Sequence, residues 1–278
     1  ERPDLPPHSR LQLLEIAGKL HGHSDQREER RACIIECLEL ARMLRDRAAE
    51  GRALSQHFMY REGDKTDPER IQGLRAAIAL LQSEGDWRGE FDAMLRLGET
   101  LLIAGAIDES SAVAKAMVEN ALAAECRLMQ AISLRFRAGC HMDRGDMNRA
   151  EQDLKQAMNL AESLEKPLLW MQVNGALGTL YKDLGKLDES VACHEAGIRF
   201  SRQYGIRRVE TIIMGNLALI LQLQGRIDDA KQMYRDTVHL DQTRGGTMVG
   251  HIANGNLGDL LLREGDTDES MAHLKAAI

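Results

Sequence analysis

Residue types that could carry out chemistry are scattered along this chain and form no recognisable catalytic set. The segment His21-Gly22-His23 most resembles a metal site, but only Asp25 lies near it as a further ligand, which favours a solvated loop. His141 and His194 fall where contacts between helices are expected, and we interpret both as structural. The motifs of zinc proteases, serine hydrolases and phosphate-binding loops do not occur. We therefore predict that the chain is not an enzyme and holds no metal or cofactor.

Composition argues against two classes of partner. Lys and Arg total 36 against 43 Asp and Glu, and no basic stripe is evident, so direct binding to nucleic acid is not expected. No run of 18 apolar residues occurs, so we predict neither a membrane span nor a membrane partner. The five cysteines, odd in number and irregular in spacing, indicate free thiols in a reducing compartment, and hence a cytoplasmic protein.

The elements that must position any binding residue are helices. Aromatic residues make up only 4% of the chain, which argues against a sheet-rich fold. Of the five prolines, three lie within residues 3–7, and only Pro68 and Pro167 interrupt the remainder, so long helices are permitted.

A glycine-led motif of six residues recurs at one constant interval over residues 105–270. Glycine can supply the left-handed residue that ends a helix, and the Asp or Asn three positions later is predicted to cap the next helix. The motif begins at Gly105, Gly145, Gly185, Gly225 and Gly265, with the predicted caps at Asp108, Asn148, Asp188, Asp228 and Asp268. A second break is predicted half a period away, near Gly85, Glu125, Pro167, Gly205 and Gly245–Gly246. Each 40-residue repeat is then two helices of roughly 16–18 residues joined by short loops.

Two columns of small residues support this helix pair. One stands seven residues before each turn glycine, at Gly98, Ala138, Gly178, Ala218 and Gly258. The other stands five residues after it, at Ser110, Ala150, Ser190, Ala230 and Ser270. Small residues at fixed places on both helices would let the two backbones approach closely.

The residues Leu177, Gly178, Tyr181, Gly185, Asp188, Glu189 and Ser190 resemble the tetratricopeptide repeat consensus. The repeat of this chain is longer than the roughly 34 residues that are usual in that family. Gly-Asn-Leu-Ala at Gly215 and Gly-Asn-Leu-Gly at Gly255 are similar to the 40-residue subclass. That subclass includes Leu-Gly-Asn-type polarity scaffolds, bacterial peptide-sensing regulators and the sensor arrays of signalling ATPases. The resemblance implies an all-α fold, a right-handed α-α superhelix (solenoid) of tandem helix-turn-helix repeats.

We predict one continuous solenoid with two parts. Residues 85–278 hold five 40-residue repeats, the last incomplete, and residues 1–84 hold divergent helical repeats that act as an N-terminal cap. The chain lacks an initial Met and stops within a helical pattern, so we expect an excerpt from a longer protein with additional domains.

The resemblance also implies that the first helix of each repeat lines a concave groove. Its groove-face positions lie 13, 10, 9, 6 and 3 residues before the turn glycine. The predicted partner-binding residues at these positions are Gln172, Gly175, Thr179, Lys182, Gly215, Asn216, Gln222, Gly255, Asn256, Asp259, Arg96 and Arg135. Asn216 and Asn256 share one phase, and each side chain offers a donor and an acceptor to a peptide backbone.

Three glycines share another groove-face phase, at Gly175, Gly215 and Gly255. Each costs about 1 kcal/mol relative to Ala within a helix, which indicates that a ligand approaches closely there or that another helix fills the space.

These features predict a scaffold that binds a peptide or partner-protein segment in the groove. The alternative is an effector-sensing array of a larger signalling protein whose catalytic domain lies outside this chain. Arg96, Arg135 and Lys182 do not reproduce the two-carboxylate clamp of chaperone-binding relatives, so binding to a chaperone C-terminus is not expected.

Overall fold

The computed structural model describes residues 5–20, 27–60, 66–243 and 248–277, and its elements there are all helices. The helices are α1 (Pro7–Leu20), α2 (Arg27–Leu44), α3 (Arg47–Tyr60), α4 (Pro68–Ser83), α5 (Trp87–Ile103), α6 (Ile107–Ala123), α7 (Arg127–Asp143), α8 (Met147–Ser163), α9 (Pro167–Asp183), α10 (Leu187–Gln203), α11 (Arg207–Leu223), α12 (Ile227–Gln242), α13 (Met248–Glu264) and α14 (Thr267–Ala276). The segments His21-Gly22-His23 and Gly245–Gly246 lie outside the described residues. The predicted all-α array of tetratricopeptide-like helix pairs is confirmed.

Left-handed residues end the helices at regular intervals. All five predicted turn glycines have positive φ angles, between 71° and 89°. At Gly105 the amide donates to the Leu102 carbonyl at 2.9 Å, and the Ala106 amide donates to the Leu101 carbonyl at 2.9 Å. This pair of bonds satisfies the last carbonyls of α5 and stops the helix there. Most helices from α5 onward therefore have 17 residues.

The half-period breaks use the same geometry, but three of them are not glycine. Gly85 and Gly205 have positive φ, as do Arg45, Glu125 and Glu165. The break that was predicted near Pro167 lies at Glu165, because Pro167 is already the first residue of α9. Arg45 lies 40 residues before Gly85, so the same spacing continues toward the N-terminus although the residue there is not glycine.

The capping prediction was wrong. Asp108, Asp188 and their equivalents are the second residues of their helices. A carboxylate at that position interacts favourably with the positive end of the helix dipole. The capping position is the residue directly after the glycine. Asp146 and Asp266 accept there from the amides of Arg149 and Glu269, each at 3.3 Å. Ala106, Lys186 and Arg226 occupy the same position with no side-chain cap.

The chain divides into two compact units, residues 1–144 (α1–α7) and residues 145–278 (α8–α14). Within each unit every helix packs against the next one in sequence. In the first unit α5 also packs against α7, and in the second α11 packs against α13, so the first helices of neighbouring repeats are in contact. The division into a cap over residues 1–84 and repeats over residues 85–278 stays a prediction. Every helix that the structure describes is too short or too polar to span a membrane.

The two small columns are packing positions, as predicted. Both are fully or almost fully buried. The Oγ atoms of Ser110, Ser190 and Ser270 donate to the carbonyls of Gly98, Gly178 and Gly258 at 2.9, 2.7 and 2.7 Å. Each bond joins the two helices of one repeat across a contact that is closed to water, so the serine hydroxyl is satisfied where burial would otherwise penalise it.

The Gly178 and Gly175 positions on α9 predict opposite responses to a side chain. A Cβ on Gly178 would lie 2.4 Å from Cε1 of His194, whereas a Cβ on Gly175 meets nothing within 4 Å. We expect Gly178→Leu to lower the free energy of unfolding by roughly 1–3 kcal/mol through overpacking. Gly175→Leu, the matched control, should leave it unchanged or raise it by up to about 1 kcal/mol through helix propensity. Chemical denaturation of both variants measures the difference, and equal effects would contradict this packing.

We predict that replacing Glu165 by glycine stabilises the protein. Its φ of 49° places a side chain in the left-handed region. That conformation costs a non-glycine residue roughly 1–2 kcal/mol. Glycine removes this cost but makes the unfolded chain more flexible, so we expect Glu165→Gly to stabilise by up to about 1 kcal/mol. Gly205→Ala, at the same phase with φ 66°, should destabilise instead. Thermal melts that move both variants in the same direction would argue against the left-handed turn.

Candidate functional site

The predicted groove-face residues of the second unit lie on α9, α11 and α13. Gln172, Thr179, Asn216 and Asp259 are exposed, and Gly175, Lys182, Gly215, Gln222, Gly255 and Asn256 are half buried. Apolar side chains stand among them, with Ile212 41% and Ile252 58% exposed. These helices therefore offer amides and open apolar surface together.

The charged groups among these residues are already neutralised. Lys182 Nζ lies 3.0 Å from Oδ1 of Asp183, and Asp259 Oδ2 lies 2.8 Å from an Arg263 nitrogen. Each pair is formed within one helix. A ligand would thus meet mainly uncharged groups, and its backbone and apolar side chains would supply the contacts.

The glycine column is not explained by close packing of another helix. A Cβ on Gly215 would have its nearest described neighbours at 3.9 Å, and one on Gly255 would lie 3.7 Å from Ala277. These are ordinary contact distances, and Gly175 has open space, so alanine would fit at all three positions. Packing among the described residues does not require glycine there, which removes the support for the packing interpretation.

Tyr234 of α12 connects two of the predicted residues and was missed by the sequence analysis. The side chain is fully buried, and its hydroxyl donates to Gln222 Oε1 of α11 at 3.4 Å. The side chain of Asn256 on α13 lies near the same hydroxyl and lowers its pKa, against the larger effect of burial. Burial raises the pKa of Tyr234 to about 12, so the hydroxyl keeps its proton at neutral pH. The sequence contains one signal for this residue. Nine positions after the turn glycines stand the apolar residues Ala114 and Leu154, whereas Tyr234 at the same position carries a hydroxyl group.

The Tyr234 hydroxyl orients one of the two amides. Its proton goes to the oxygen of Gln222, which leaves the NH₂ group of Gln222 as a donor for a ligand. Asn256 is half buried near the same hydroxyl, and its side chain has both a donor and an acceptor group. Asn216 of α11 is exposed.

Arg96 and Arg135 lie in the first unit, on α5 and α7. Both are half buried. The Arg96 guanidinium lies 5.7 Å from the ring centroid of Tyr60, a cation–π distance. Both act through their charge on Glu99 of α5: burial raises the pKa of its carboxyl group, and Arg135 and Arg96 oppose that rise.

Other candidate groups are structural. His194 is buried against Gly178, and its Nδ1 donates to the Ser190 carbonyl at 2.8 Å. Burial lowers the pKa of its imidazole. All five cysteines are free. Within the part of the chain that the structure describes, no three His, Cys, Asp or Glu side chains are grouped to hold a metal ion.

Comparisons with known proteins agree with the 40-residue repeat. Tetratricopeptide repeat profiles match residues 172–204, 212–240 and 252–278, and the starts of these three matches follow the spacing of the turn glycines. No curated protein matches the sequence.

Several solved structures share the fold. The apo form of the quorum sensor NprR from B. thuringiensis has a TM-score of 0.73 at 13% identity, covering 99% of this chain and 77% of its own. A signal transduction ATPase with a tetratricopeptide repeat sensor from Pyrococcus horikoshii has a TM-score of 0.71 at 12% identity, covering 98% of this chain and 41% of its own.

A third solved structure includes a peptide. It is the Rap conjugation gene regulator of plasmid pLS20 in complex with the Phr* peptide, which has a TM-score of 0.61 at 15% identity, covering 99% of this chain and 75% of its own. At these identities the likeness concerns the fold alone. The repeat matches, the 40-residue phase of the turns and the shared fold together identify this chain as a tetratricopeptide-type repeat protein.

Proposed function

We propose that this chain is a non-catalytic scaffold that holds an extended segment of a peptide or partner protein against α9, α11 and α13. The observation that carries the proposal is the group of amides on these helices, where Tyr234 bonds to Gln222 and lies near Asn256. Amides that offer both donors and acceptors can hold a backbone without reading its sequence. Exposed Ile212 and Ile252 then offer apolar contact to its side chains.

The open space along the glycine column supports an extended ligand. Glycine at Gly175, Gly215 and Gly255 keeps side chains away from the surface beside the amides. A ligand backbone could therefore approach the helices there. The Rap regulator that shares the fold is in complex with a peptide, which is consistent with this class of ligand.

A second candidate function is the sensing array of a larger signalling protein. It is favoured by the likeness to the signal transduction ATPase, of which this chain covers 41%. In that case the binding surface would be the same, and its occupancy would control a domain outside these residues. The sequence that flanks this chain in its gene distinguishes the two, because an adjacent ATPase, kinase, protease or DNA-binding domain would favour the sensor.

Replacing both asparagines tests the binding surface. Peptides retained from a synthetic random hexapeptide library by the immobilised protein serve as probes, and their affinities are measured by calorimetry. Each lost side-chain hydrogen bond costs about 0.5–1.5 kcal/mol, so Asn216→Ala with Asn256→Ala should weaken binding roughly tenfold or more. Asn159→Ala, an exposed asparagine of α8 on the other helix of its repeat, is the matched control. Equal affinity in all three proteins, or no retained peptide, would refute the proposed site.

Tyr234→Phe tests the orientation of the Gln222 amide separately. The substitution keeps the buried ring and removes only the hydroxyl, so we expect melting to change little. Without that hydroxyl, the Gln222 side chain loses its hydrogen-bonded orientation, and peptide affinity should fall by about three- to tenfold, the value of roughly one hydrogen bond. The NMR signals of the Gln222 side-chain amide should shift at the same time. Unchanged amide shifts and affinity would show that Tyr234 only fills space.

A further inference from the structure

A cavity of about 400 Å³ opens in the first unit, where the ends of α4 and α6 meet the starts of α5 and α7. Its volume is within the range of roughly 300–1,000 Å³ that is usual for small-molecule sites. The main lining side chains are apolar at Trp87, Phe91 and Met129 and polar at Gln82, Glu90 and Asn120. None of them is a predicted groove-face residue, so the cavity is separate from the proposed peptide surface.

In the second unit, aromatic side chains occupy the positions that are equivalent to part of this lining. Trp170, Phe200 and Tyr204 stand two repeats after Glu90, Asn120 and Ala124. The ring centroids of Trp170 and Phe200 are 4.4 Å apart, and those of Phe200 and Tyr204 are 4.5 Å apart. The repeat thus accommodates stacked rings at these positions, and the smaller or polar residues of the first unit leave a cavity there instead.

The carboxylate of Glu90 lines this cavity without a cationic partner. Its Oε1 atom accepts from Gln82 Nε2 at 2.8 Å and from Asn120 Nδ2 at 3.1 Å. Among the described residues, its Oε2 atom accepts no hydrogen bond, and no cationic side chain lies within 4.0 Å of the carboxylate. The nearby Arg88 guanidinium lies 5.0 Å from the centroid of the Trp87 ring, and residues two positions apart on a helix do not face each other.

The helix ends around the cavity do not decide its charge. The C-terminal ends of α4 and α6 carry partial negative charge, and the N-terminal ends of α5 and α7 carry partial positive charge. Because two ends of each kind meet here, their effects oppose each other. Asp86, which caps α5, is already paired with Arg52 at 2.6 Å. The Glu90 carboxylate therefore sets the sign, and the cavity favours a cation.

We infer that this cavity binds a small aromatic amine. The ammonium group donates to Glu90 Oε2, and a hydrogen bond between charged groups is roughly twice as strong as a neutral one. The ring of the ligand lies among Trp87, Phe91 and Met129, because aromatic rings and methionine sulfur both make favourable contacts with an aromatic ring. This inference goes beyond the proposed scaffold function and does not depend on it, since the peptide surface lies in the second unit.

Three small probes test the site in the full chain. Phenethylamine carries the ring and the charge, phenethyl alcohol replaces the ammonium by a hydroxyl, and butylamine keeps the charge without the ring. NMR follows the indole N–H signals of Trp87 and Trp170, the two tryptophans of the chain, which Trp170→Phe assigns. We expect phenethylamine to shift the Trp87 signal saturably and to leave the Trp170 signal unchanged. The other two probes should bind about tenfold more weakly or less.

Variants separate recognition by Glu90 from general charge effects. Glu90→Gln keeps the size of the side chain and removes its charge, so it should weaken phenethylamine binding about tenfold or more and leave phenethyl alcohol unchanged. Glu119→Gln, an exposed glutamate of α6 that is paired with Lys115, is the matched control and should behave like the parent. Asn120→Phe with Ala124→Tyr introduces aromatic residues of the second unit and should abolish binding.

The inference is overturned if the Trp87 signal does not respond in the parent, or if phenethyl alcohol or butylamine binds as tightly as phenethylamine. Equal effects of Glu90→Gln and Glu119→Gln would overturn it as well. These two substitutions decide the matter even if the aromatic double variant does not fold. Failure here would leave the scaffold proposal intact, because that proposal is tested at Asn216 and Asn256.

Discussion

A left-handed residue at each helix-to-helix turn that the structure describes in full is the constraint on which the rest of the molecule depends. It stops each of these helices after about the same number of residues, and at most of these turns the same pair of backbone hydrogen bonds closes the helix end. Because the interval between turns is constant, the same face of each first helix returns once per repeat. The serine-to-carbonyl bonds recur at Ser110, Ser190 and Ser270 for this reason. The groove-face amides share a phase for the same reason.

The two candidate binding features use this frame differently. In the second unit, the buried hydroxyl of Tyr234, on the second helix of a repeat, bonds to Gln222 on one first helix and lies near Asn256 on the next. In the first unit, Arg135 is placed by the same phase, but the described residues give its Nε atom no acceptor. The frame thus orients an amide in the second unit, whereas in the first it leaves a buried donor without an acceptor among the described residues.

The sequence predicted the fold well because its signals are local. A glycine that must adopt positive φ is visible in the residue itself, and five of them in phase give the repeat, the helix lengths and the packing columns. The turns at Arg45, Glu125 and Glu165 could not be seen this way, since there the backbone hydrogen bonds impose a conformation that the side chain disfavours. We predicted the caps two residues too late because Asp is favoured at two positions. It can cap the helix as the residue before the first turn, and it interacts favourably with the helix dipole at the second helical position.

The candidate site was only partly predictable. The phase of the repeat predicts Gln222, Asn256 and Arg135 on the groove face, and all three are half buried. What they can bind depends on long-range contacts: the reach of Tyr234 from a second helix, and the lack of an acceptor for Arg135 Nε among the described residues. Neither follows from a residue's own position, because both depend on which side chains meet in three dimensions.

A deletion of one repeat in phase tests the central claim most directly. Removing residues 185–224 joins Leu184 to Gly225, so that one turn glycine replaces another. Because each helix contacts mainly its neighbours, we predict that circular dichroism per residue stays helical and that melting remains cooperative. Removing residues 185–222 instead leaves two extra residues before Gly225 and should lower the melting temperature markedly. Loss of all helical signal in the 40-residue deletion, or equal behaviour of both deletions, would contradict the account.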